Sequence, residues 1–192
     1  ERSLITIRDS AIDKVVKQAK QVPVLINYTV VKAKKSTRYY KKPDRFDLDL
    51  IKKIDEVKSN DWYPSLKLPE GYNTNQPIKS HKFTHVHHFY TKRTILILSK
   101  VYKKILERKN PRLLFWFTST FVWTTKINSL QISNYFNGGG GVVASPRGRL
   151  YIGSLPAETN PIERLSLRIS SSVYEFPNTN SSFIISTQSS TN

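Results

Sequence analysis

Cysteine and methionine are absent from this 192-residue chain, and its acidic residues are few. Without cysteine the chain has no disulfide bond and no thiolate metal site, which suits a reducing compartment. No apolar run approaches the roughly 20 residues that a membrane-spanning helix needs, and the first residues are not a signal peptide. We therefore expect a cytoplasmic protein with no membrane partner. The missing methionine and a Ser- and Thr-rich end indicate a piece of a longer protein.

Positive charge dominates the composition. Lys and Arg number 31 against 14 Asp and Glu, which gives a formal net charge of +17 and a sequence pI near 10.1. A polyanion is the simplest partner for such a field, and binding to DNA would release counterions and weaken steeply with salt. The plainer alternative is a protein that carries surplus lysines on a solvated surface.

The spacing of apolar residues predicts several elements in the first half of the chain. Residues 9–19 have the helical spacing and the acid-first, lysine-last order that a helix dipole favours. β-Branched residues predict strands at 22–31 and 37–41, joined by a basic hairpin tip, which is either a solvated turn or a phosphate contact. A helix capped by Asp44 is expected over 44–57, followed by a long extended loop over 60–80.

The second half is expected to be more helical. Thr91 is predicted to cap an amphipathic helix that runs to about Lys109. Asn110 and Pro111 begin a second helix, to about Thr125, which is apolar nearly all round and so predicted to be buried. A strand at 150–154, a helix at 161–171 and a strand at 182–186 complete the pattern.

Alternation of strands and helices indicates an α/β fold, with helices around a sheet. Composition divides the chain at residue 80. Residues 1–80 form a basic strand-and-helix region with a long loop, and residues 81–192 form a helical and α/β region. Together they are expected to make one compact fragment.

All four histidines of the chain lie in one basic, aromatic stretch over residues 79–93. The stretch offers charge, imidazole donors and flat stacking faces, a mixture that suits a nucleic acid better than a small metabolite. The alternative is that the histidines cap a helix and make hydrogen bonds in the core. The members are His81, His85, His87 and His88.

One short motif within this stretch suggests a metal-dependent nuclease. His85 and His87 are separated by one hydrophobic residue, so on a strand both imidazoles would point to the same side. The spacing resembles the His-hydrophobic-His motif of single-strand nucleases that hold a divalent cation and attack DNA with a tyrosine. Tyr102, on the predicted amphipathic helix, is the candidate nucleophile. Other catalytic motifs, including a Walker loop and Gly-x-Ser-x-Gly, are absent from the sequence.

Several segments, in order and type, resemble the middle part of large adenine-specific DNA methyltransferases of the amino-methyltransferase class. The segments are Gln21-Val-Pro-Val-Leu-Ile-Asn-Tyr28, Tyr40-Lys-Lys-Pro-Asp44, Asp61-Trp-Tyr-Pro64, Ser80-His-Lys-Phe-Thr-His-Val-His-His-Phe-Tyr-Thr-Lys-Arg93, and Gly148-Arg-Leu-Tyr-Ile-Gly-Ser-Leu-Pro-Ala-Glu-Thr-Asn160. They cover most of the chain.

The resemblance implies methyl transfer from S-adenosylmethionine to an adenine amine, with the base flipped out of the duplex. In such proteins the cofactor loop lies upstream of this part and the catalytic Asp-Pro-Pro-Tyr/Phe motif lies downstream. The resemblance therefore implies an α/β fold with a partial methyltransferase-like sheet, helices and a long, basic, loop-rich insertion. Neither motif occurs here, so no catalytic, cofactor-binding or metal-binding residue is assigned to this chain. The remainder of the methyltransferase would supply both functions.

The predicted role of this segment is DNA recognition and scaffolding. Arginine forks suit phosphate and base contacts alike, and lysines suit phosphates. A solvated surface is the alternative for each cation, and a stand-alone nucleic-acid-binding module is the alternative for the whole chain. The residues predicted to contact DNA are Lys34, Lys35, His85, His88, Lys92, Arg93, Arg147 and Arg149.

Overall fold

The computed structural model describes residues 2–33, 35–138, 141–144 and 150–169. These residues form a mixed α and β structure of short strands, six α-helices and two 3-10 turns. The strands are β1 (Leu4–Asp9), β2 (Lys14–Ala19), β3 (Ile26–Lys32), β4 (Lys35–Lys41), β5 (Ser129–Leu130) and β6 (Val143–Ala144). The helices are α1 (Arg45–Asp55), α2 (Tyr72–His81), α3 (Lys92–Arg108), α4 (Pro111–Thr118), α5 (Ile132–Asn137) and α6 (Pro161–Ile169).

Every strand pair in the described part of the chain is antiparallel and stands alone as a two-stranded sheet: β1 with β2, β3 with β4, and β5 with β6. The mixed composition of the predicted fold is confirmed, but its strands do not form one sheet flanked by helices. The first two pairs are hairpins whose strands are joined by short turns, whereas a parallel sheet needs long crossover connections. The strands β5 and β6 are separated by α5.

The helix predicted over 9–19 is wrong, since this segment forms the β1–β2 hairpin. The Asp9 carboxylate accepts a hydrogen bond from the Ala11 N–H at 3.0 Å, which closes a local turn. Asp13 follows with a φ of 49°, a left-handed conformation that a helix interior does not contain. The turn chemistry of two aspartates therefore outweighs the helical spacing of the apolar residues.

The two predicted strands of the second hairpin are confirmed, although β3 begins at Ile26 rather than at residue 22. Pro23 lacks the N–H that a ladder needs, which explains the later start. At the hairpin tip Ala33 has a φ of 43°. The hairpin pairs Ile26 with Lys41 at its base and Lys32 with Lys35 at its tip.

The helix predicted after Asp44 is confirmed as α1, with a capping box in which the side chains of Asp44 and Asp47 each accept a backbone N–H of the other. The loop predicted over 60–80 is wrong from residue 72 onward, because α2 occupies Tyr72–His81. Pro77 lies inside α2 and lacks a backbone N–H donor. Because proline is disfavoured within a helix, this residue led to the prediction of an extended loop.

The predicted helix after Thr91 is confirmed as α3, with the Thr91 hydroxyl accepting the Thr94 N–H. The next helix is shorter than predicted: α4 ends at Thr118, and a 3-10 turn occupies Phe121–Thr124. Threonine and serine hydroxyls bond to backbone carbonyls three residues earlier throughout this region, which favours tight turns over a continuing helix. Nor is α4 buried all round, since Phe115 is 52% exposed.

No strand forms over 150–154, although Ile152 at its centre is fully buried. The Gln76 side chain instead bonds to both backbone groups of Ile152, donating to its carbonyl and accepting from its N–H at 3.2 Å each. An amide side chain thus takes the place of a neighbouring strand. The helix predicted from residue 161 is confirmed to residue 169, and the strand predicted at 182–186 lies outside the described residues.

Two clusters of buried side chains form the core. The first consists of Leu68, Phe83, Phe89, Ile127 and Ile152, and the second of Leu98, Ile105, Phe117 and Leu165. The first cluster underlies the histidine-rich segment, and Tyr90 packs against both clusters. None of the described helices is long and apolar enough to cross a membrane.

Phe83 provides a test of this core, because it is 1% exposed and contacts Phe89 edge to face with the ring centroids 5.7 Å apart. Phe83→Ala is expected to lower the free energy of unfolding by about 3–5 kcal/mol through lost burial and a residual cavity. Phe46→Ala is the matched control, since Phe46 is 75% exposed, and should change it by less than about 0.5 kcal/mol. Urea titrations measure both; equal losses would contradict the core assignment.

Candidate nucleic-acid interface and histidine cluster

The histidine-rich segment folds as a tight turn rather than as a strand. His85 makes an isolated antiparallel bridge with Lys67, and a 3-10 turn follows over Val86–Phe89. The turn brings the rings of His87 and His88 together, with centroids 4.4 Å apart, while those of His85 and His87 are 5.7 Å apart. The strand geometry on which the His-hydrophobic-His prediction depended is therefore wrong.

Asp9 binds two of these histidines through one carboxylate oxygen. Its Oδ2 lies 2.7 Å from Nε2 of His87 and 2.7 Å from Nε2 of His88. The three side chains are 7%, 9% and 2% exposed, respectively. Burial alone would raise the pKa of the Asp9 carboxyl, but the hydrogen bonds from His87 and His88 outweigh it and hold that pKa well below its usual range. Asp9 is thus an ionised, buried acceptor.

The backbone around His88 fixes which of its nitrogens carries the proton. The Thr84 N–H donates to His88 Nδ1 at 3.1 Å, so in the neutral ring the proton must lie on Nε2, which then donates to Asp9. Burial lowers the pKa of His88, although the hydrogen bond to Asp9 opposes that shift. The neutral His88 ring can therefore make both hydrogen bonds, accepting from the Thr84 N–H at Nδ1 and donating to Asp9 from Nε2.

Asp9, His87 and His88 also offer three ligand atoms within 4.8 Å of one another, and one carboxylate with two imidazoles is a donor set that zinc accepts. A metal on Nε2 of His88 would place the ring proton on Nδ1, where the Thr84 N–H already points. Nδ1 of His87 has no hydrogen-bond partner among the described residues, whereas metal-bound histidines donate from this position. The arrangement fits a hydrogen-bonded anchor better than a metal centre.

Tyr102, the predicted nucleophile, is a packing residue in this structure. Its ring lies 4.6 Å from that of Trp62 and 5.8 Å from that of Phe117, centroid to centroid. It therefore packs on the second core cluster, while His88 contacts Phe83 of the first. The structure gives no support to the nuclease interpretation.

Arg93, a predicted DNA contact at the start of α3, has an acidic partner within the protein. The Arg93 guanidinium pairs with both carboxylate oxygens of Glu158, with Nε donating at 2.7 Å. The hydroxyls of Thr91 and Thr94 also donate to Glu158. Burial would raise the pKa of Glu158, but these donors hold it below its usual range. Arg93 thus serves first to hold residue 158 against α3.

Lys92 and the remaining predicted histidines have mixed surroundings. The Lys92 ammonium lies 5.5 Å from the centre of the Tyr63 ring, a cation–π contact that leaves the charge partly exposed. His88 is 3% exposed, so its side chain does not offer a surface to DNA. His85 is half-buried and bonds to the Thr84 hydroxyl at 2.9 Å, so it is the more accessible histidine of the predicted pair.

The β3–β4 hairpin, called here the ribbon, carries an exposed cationic surface, with five Lys or Arg in residues 26–41. Residues 14–43 contain nine Lys or Arg and no Asp or Glu. Lys32 and Lys35 lie opposite each other at the tip, and Arg38 lies on the other face. All three are exposed, and none pairs with an acid in the described part of the chain. Of the other predicted contacts, Lys34, Arg147 and Arg149 lie outside the described residues.

The ribbon also presents aromatic rings. Tyr28 and Tyr39 face each other across the two strands with stacked rings, 5.6 Å between centroids. They are 43% and 46% exposed. The Tyr40 ring meets Tyr135 of α5 edge to face at 4.9 Å, which connects the base of the ribbon to the body. The sequence analysis predicted a phosphate contact only at the hairpin tip, although the acid-free run over residues 14–43 can be read directly from the sequence.

Sequence reasoning also missed Asp9 and Lys126. Lys126 is the cation beneath the histidine turn: it donates to the His88 carbonyl at 3.0 Å and lies 4.8 Å from the centre of the Phe83 ring. Burial lowers the pKa of Lys126 to about 8. Nothing in the local sequence around either residue indicates these contacts, because Asp9 is 78 positions from His87 and Lys126 is 38 positions from His88.

The Asp9 anchor is tested by Asp9→Asn. The amide would turn a donor toward one of the N–H groups that the carboxylate now accepts, and would remove the negative charge. We expect a loss of about 1–3 kcal/mol in the free energy of unfolding at neutral pH. The control is Asp13→Asn, an exposed residue that pairs with Arg8 at the surface, with a change under about 0.5 kcal/mol. A loss in the control as large as that in Asp9→Asn would refute the anchor.

No protein-family model, no curated protein and no solved structure matches this chain.

Proposed function

We propose that this chain is a DNA-recognition and scaffold segment of an S-adenosylmethionine-dependent, adenine-specific DNA methyltransferase. The observation that carries the DNA-binding part is the ribbon: an exposed two-stranded hairpin, rich in Lys and Arg, within an acid-free run of 30 residues. Such a surface attracts a polyanion and has no internal acid to neutralise it.

The shape of the ribbon supports a groove-binding role. The major groove of B-DNA admits a two-stranded β-ribbon as well as a helix. The paired lysines at the tip, Lys32 and Lys35, suit phosphate contacts, and Arg38 on the opposite face suits a phosphate or a guanine edge. The further predicted contacts to DNA are Lys34, His85, Lys92, Arg147 and Arg149.

The methyltransferase part of the proposal rests on the resemblance in the sequence, above all on the block at 80–93 and the block at 148–160. The remainder of the protein would bind S-adenosylmethionine and hold the flipped adenine. In this proposal the described hairpins and α6 border a methyltransferase-like sheet whose parallel strands belong to that remainder. A stand-alone nucleic-acid-binding module is the alternative, since it needs the same ribbon and no catalytic partner.

The ribbon is tested by measuring duplex affinity against salt concentration. We expect a steep negative slope for the chain, and the triple variant Lys32→Gln, Lys35→Gln, Arg38→Gln should reduce that slope by about two to three, because each lost phosphate contact removes about 0.9. The control removes three exposed lysines from the acid-rich helix α1 and its end: Lys52→Gln, Lys53→Gln, Lys58→Gln. A flat salt dependence, or an equal effect of both triples, would exclude the ribbon as the interface.

The methyltransferase assignment is tested by the coding sequence and by methyl transfer. The reading frame is expected to continue past Asn192 into Asp-Pro-Pro followed by Tyr or Phe. The full-length product should then transfer tritium from methyl-labelled S-adenosylmethionine to duplex DNA, and alanine in place of that aspartate should abolish the transfer. A stop codon directly after Asn192 would favour the stand-alone module instead.

A further inference from the structure

A cationic cavity lies between the start of β1 and the end of α2, away from the histidine–Asp9 contact. Its volume is about 350 Å³, and it is lined by Arg2, Leu4, Lys79, Ser80 and Lys82. Three of these five residues are cationic and none is acidic. The two lysines form no ion pair with any residue that the structure describes, so the cavity carries uncompensated positive charge.

A chain of hydrogen bonds orients Arg2 toward this cavity. The Ser80 hydroxyl donates its only proton to the Gln76 carbonyl at 2.5 Å, so at 2.8 Å from His81 Nδ1 it can only accept. The proton of a neutral His81 ring therefore lies on Nδ1. Arg2 Nη1 contacts both ring nitrogens, and only the unprotonated Nε2 can accept a hydrogen bond from it. The direction of each bond follows from the one before it.

His81 is suited to this role because it stays neutral. It is 3% exposed, and burial, together with the nearby Arg2 charge, lowers its pKa to about 4. A protonated ring would repel the guanidinium, whereas the neutral ring accepts its hydrogen bond and adds no charge. Arg2 consequently keeps its other donors for a ligand.

The C-terminal ends of helices also attract lysines, and Lys79 and Lys82 lie at that end of α2. That end carries only about half an elementary negative charge, against three full positive charges around the cavity. The dipole explains two lysines at this position, but it does not explain why Arg2, just before β1, lies beside them in contact with the buried His81.

We propose that this cavity is a binding site for a phosphate group, with Arg2, Lys79 and Lys82 as its ligands and His81 as a positioning residue for Arg2. A guanidinium fork and two ammonium groups are the usual donors to phosphate oxygens. The phosphate belongs either to a nucleic-acid backbone or to a free phosphorylated molecule. The site is independent of the ribbon and does not require the proposed function.

The direct test is a titration of the full chain with inorganic phosphate at constant ionic strength, followed through the backbone amide resonances of Ser80 and Lys82. Saturable shifts are expected, and Lys79→Gln with Lys82→Gln should weaken the affinity by about tenfold or more. Lys52→Gln with Lys53→Gln on α1 removes the same charge elsewhere and should leave it unchanged. Shifts that never saturate, or an equal loss in the control pair, would overturn the site.

The positioning role has its own readout. Arg2→Gln and His81→Phe should each weaken phosphate binding several-fold, and combining them should add little, because both changes remove the same oriented guanidinium. Fully additive losses would show that His81 does not act through Arg2. Urea midpoints of the same variants separate a loss of fold from a loss of binding.

Competition identifies the source of the phosphate. Displacement of bound phosphate by duplex DNA assigns the site to a nucleic-acid backbone, and retention in the presence of duplex assigns it to a free phosphorylated molecule. The ribbon triple variant should bind phosphate as the parent chain does. Failure at the cavity is therefore distinguishable from failure of the ribbon to bind DNA.

Discussion

One carboxylate oxygen, Oδ2 of Asp9, joins the β1–β2 hairpin to the histidine turn. The position of this hairpin, and with it the cationic cavity, depends on that contact. The oxygen accepts from His87 and His88 at the end of β1, while Arg2, just before β1, bonds to His81. Both ends of the strand are therefore fixed to residues 81–88. The buried, ionised carboxylate accepts hydrogen bonds from two N–H donors. The hairpin can therefore dock there without burying an unpaired charge. The cationic cavity exists only because the hairpin is docked in this way.

Charge in the molecule is divided between neutralised and unneutralised regions. In the body, acids lie beside the cations that matter structurally: Glu158 binds Arg93 at the start of α3, and Asp44 and Asp47 both bind Lys41 at the base of the ribbon. The ribbon itself, residues 26–41, contains no Asp or Glu. Ion pairs of this kind hold the shape of the body, whereas the cations at the ribbon tip and around the cavity, Lys32, Lys35, Arg38, Arg2, Lys79 and Lys82, have no acidic partner in the described part of the chain. This division favours a polyanionic partner over a uniformly solvated surface.

Local signals in the sequence predicted local structure well and long-range contacts poorly. Caps at Asp44 and Thr91 and apolar stripes identified α1 and α3, because these features act within a few residues. Residues 9–19 were misread because aspartate turn chemistry competes with helical spacing, and α2 was missed because Pro77 obscures it. The Asp9–histidine contact and the Gln76 clasp on Ile152 join residues more than 70 positions apart. No periodicity encodes such pairs, so the sequence drew attention to the histidine block but did not reveal its partner Asp9.

The ribbon has a further property that follows from its having two strands and no more. The outer backbone edges of β3 and β4 pair with no other strand in the described structure, and open edges of this kind invite a second copy to add its own strand. Mutual repulsion between lysine-rich edges prevents this at low ionic strength, but the Debye length shrinks to roughly 3 Å at 1 M salt. Concentrated salt, the usual means of stripping nucleic acid from a basic protein, therefore removes the barrier that keeps these edges apart and promotes aggregation during purification.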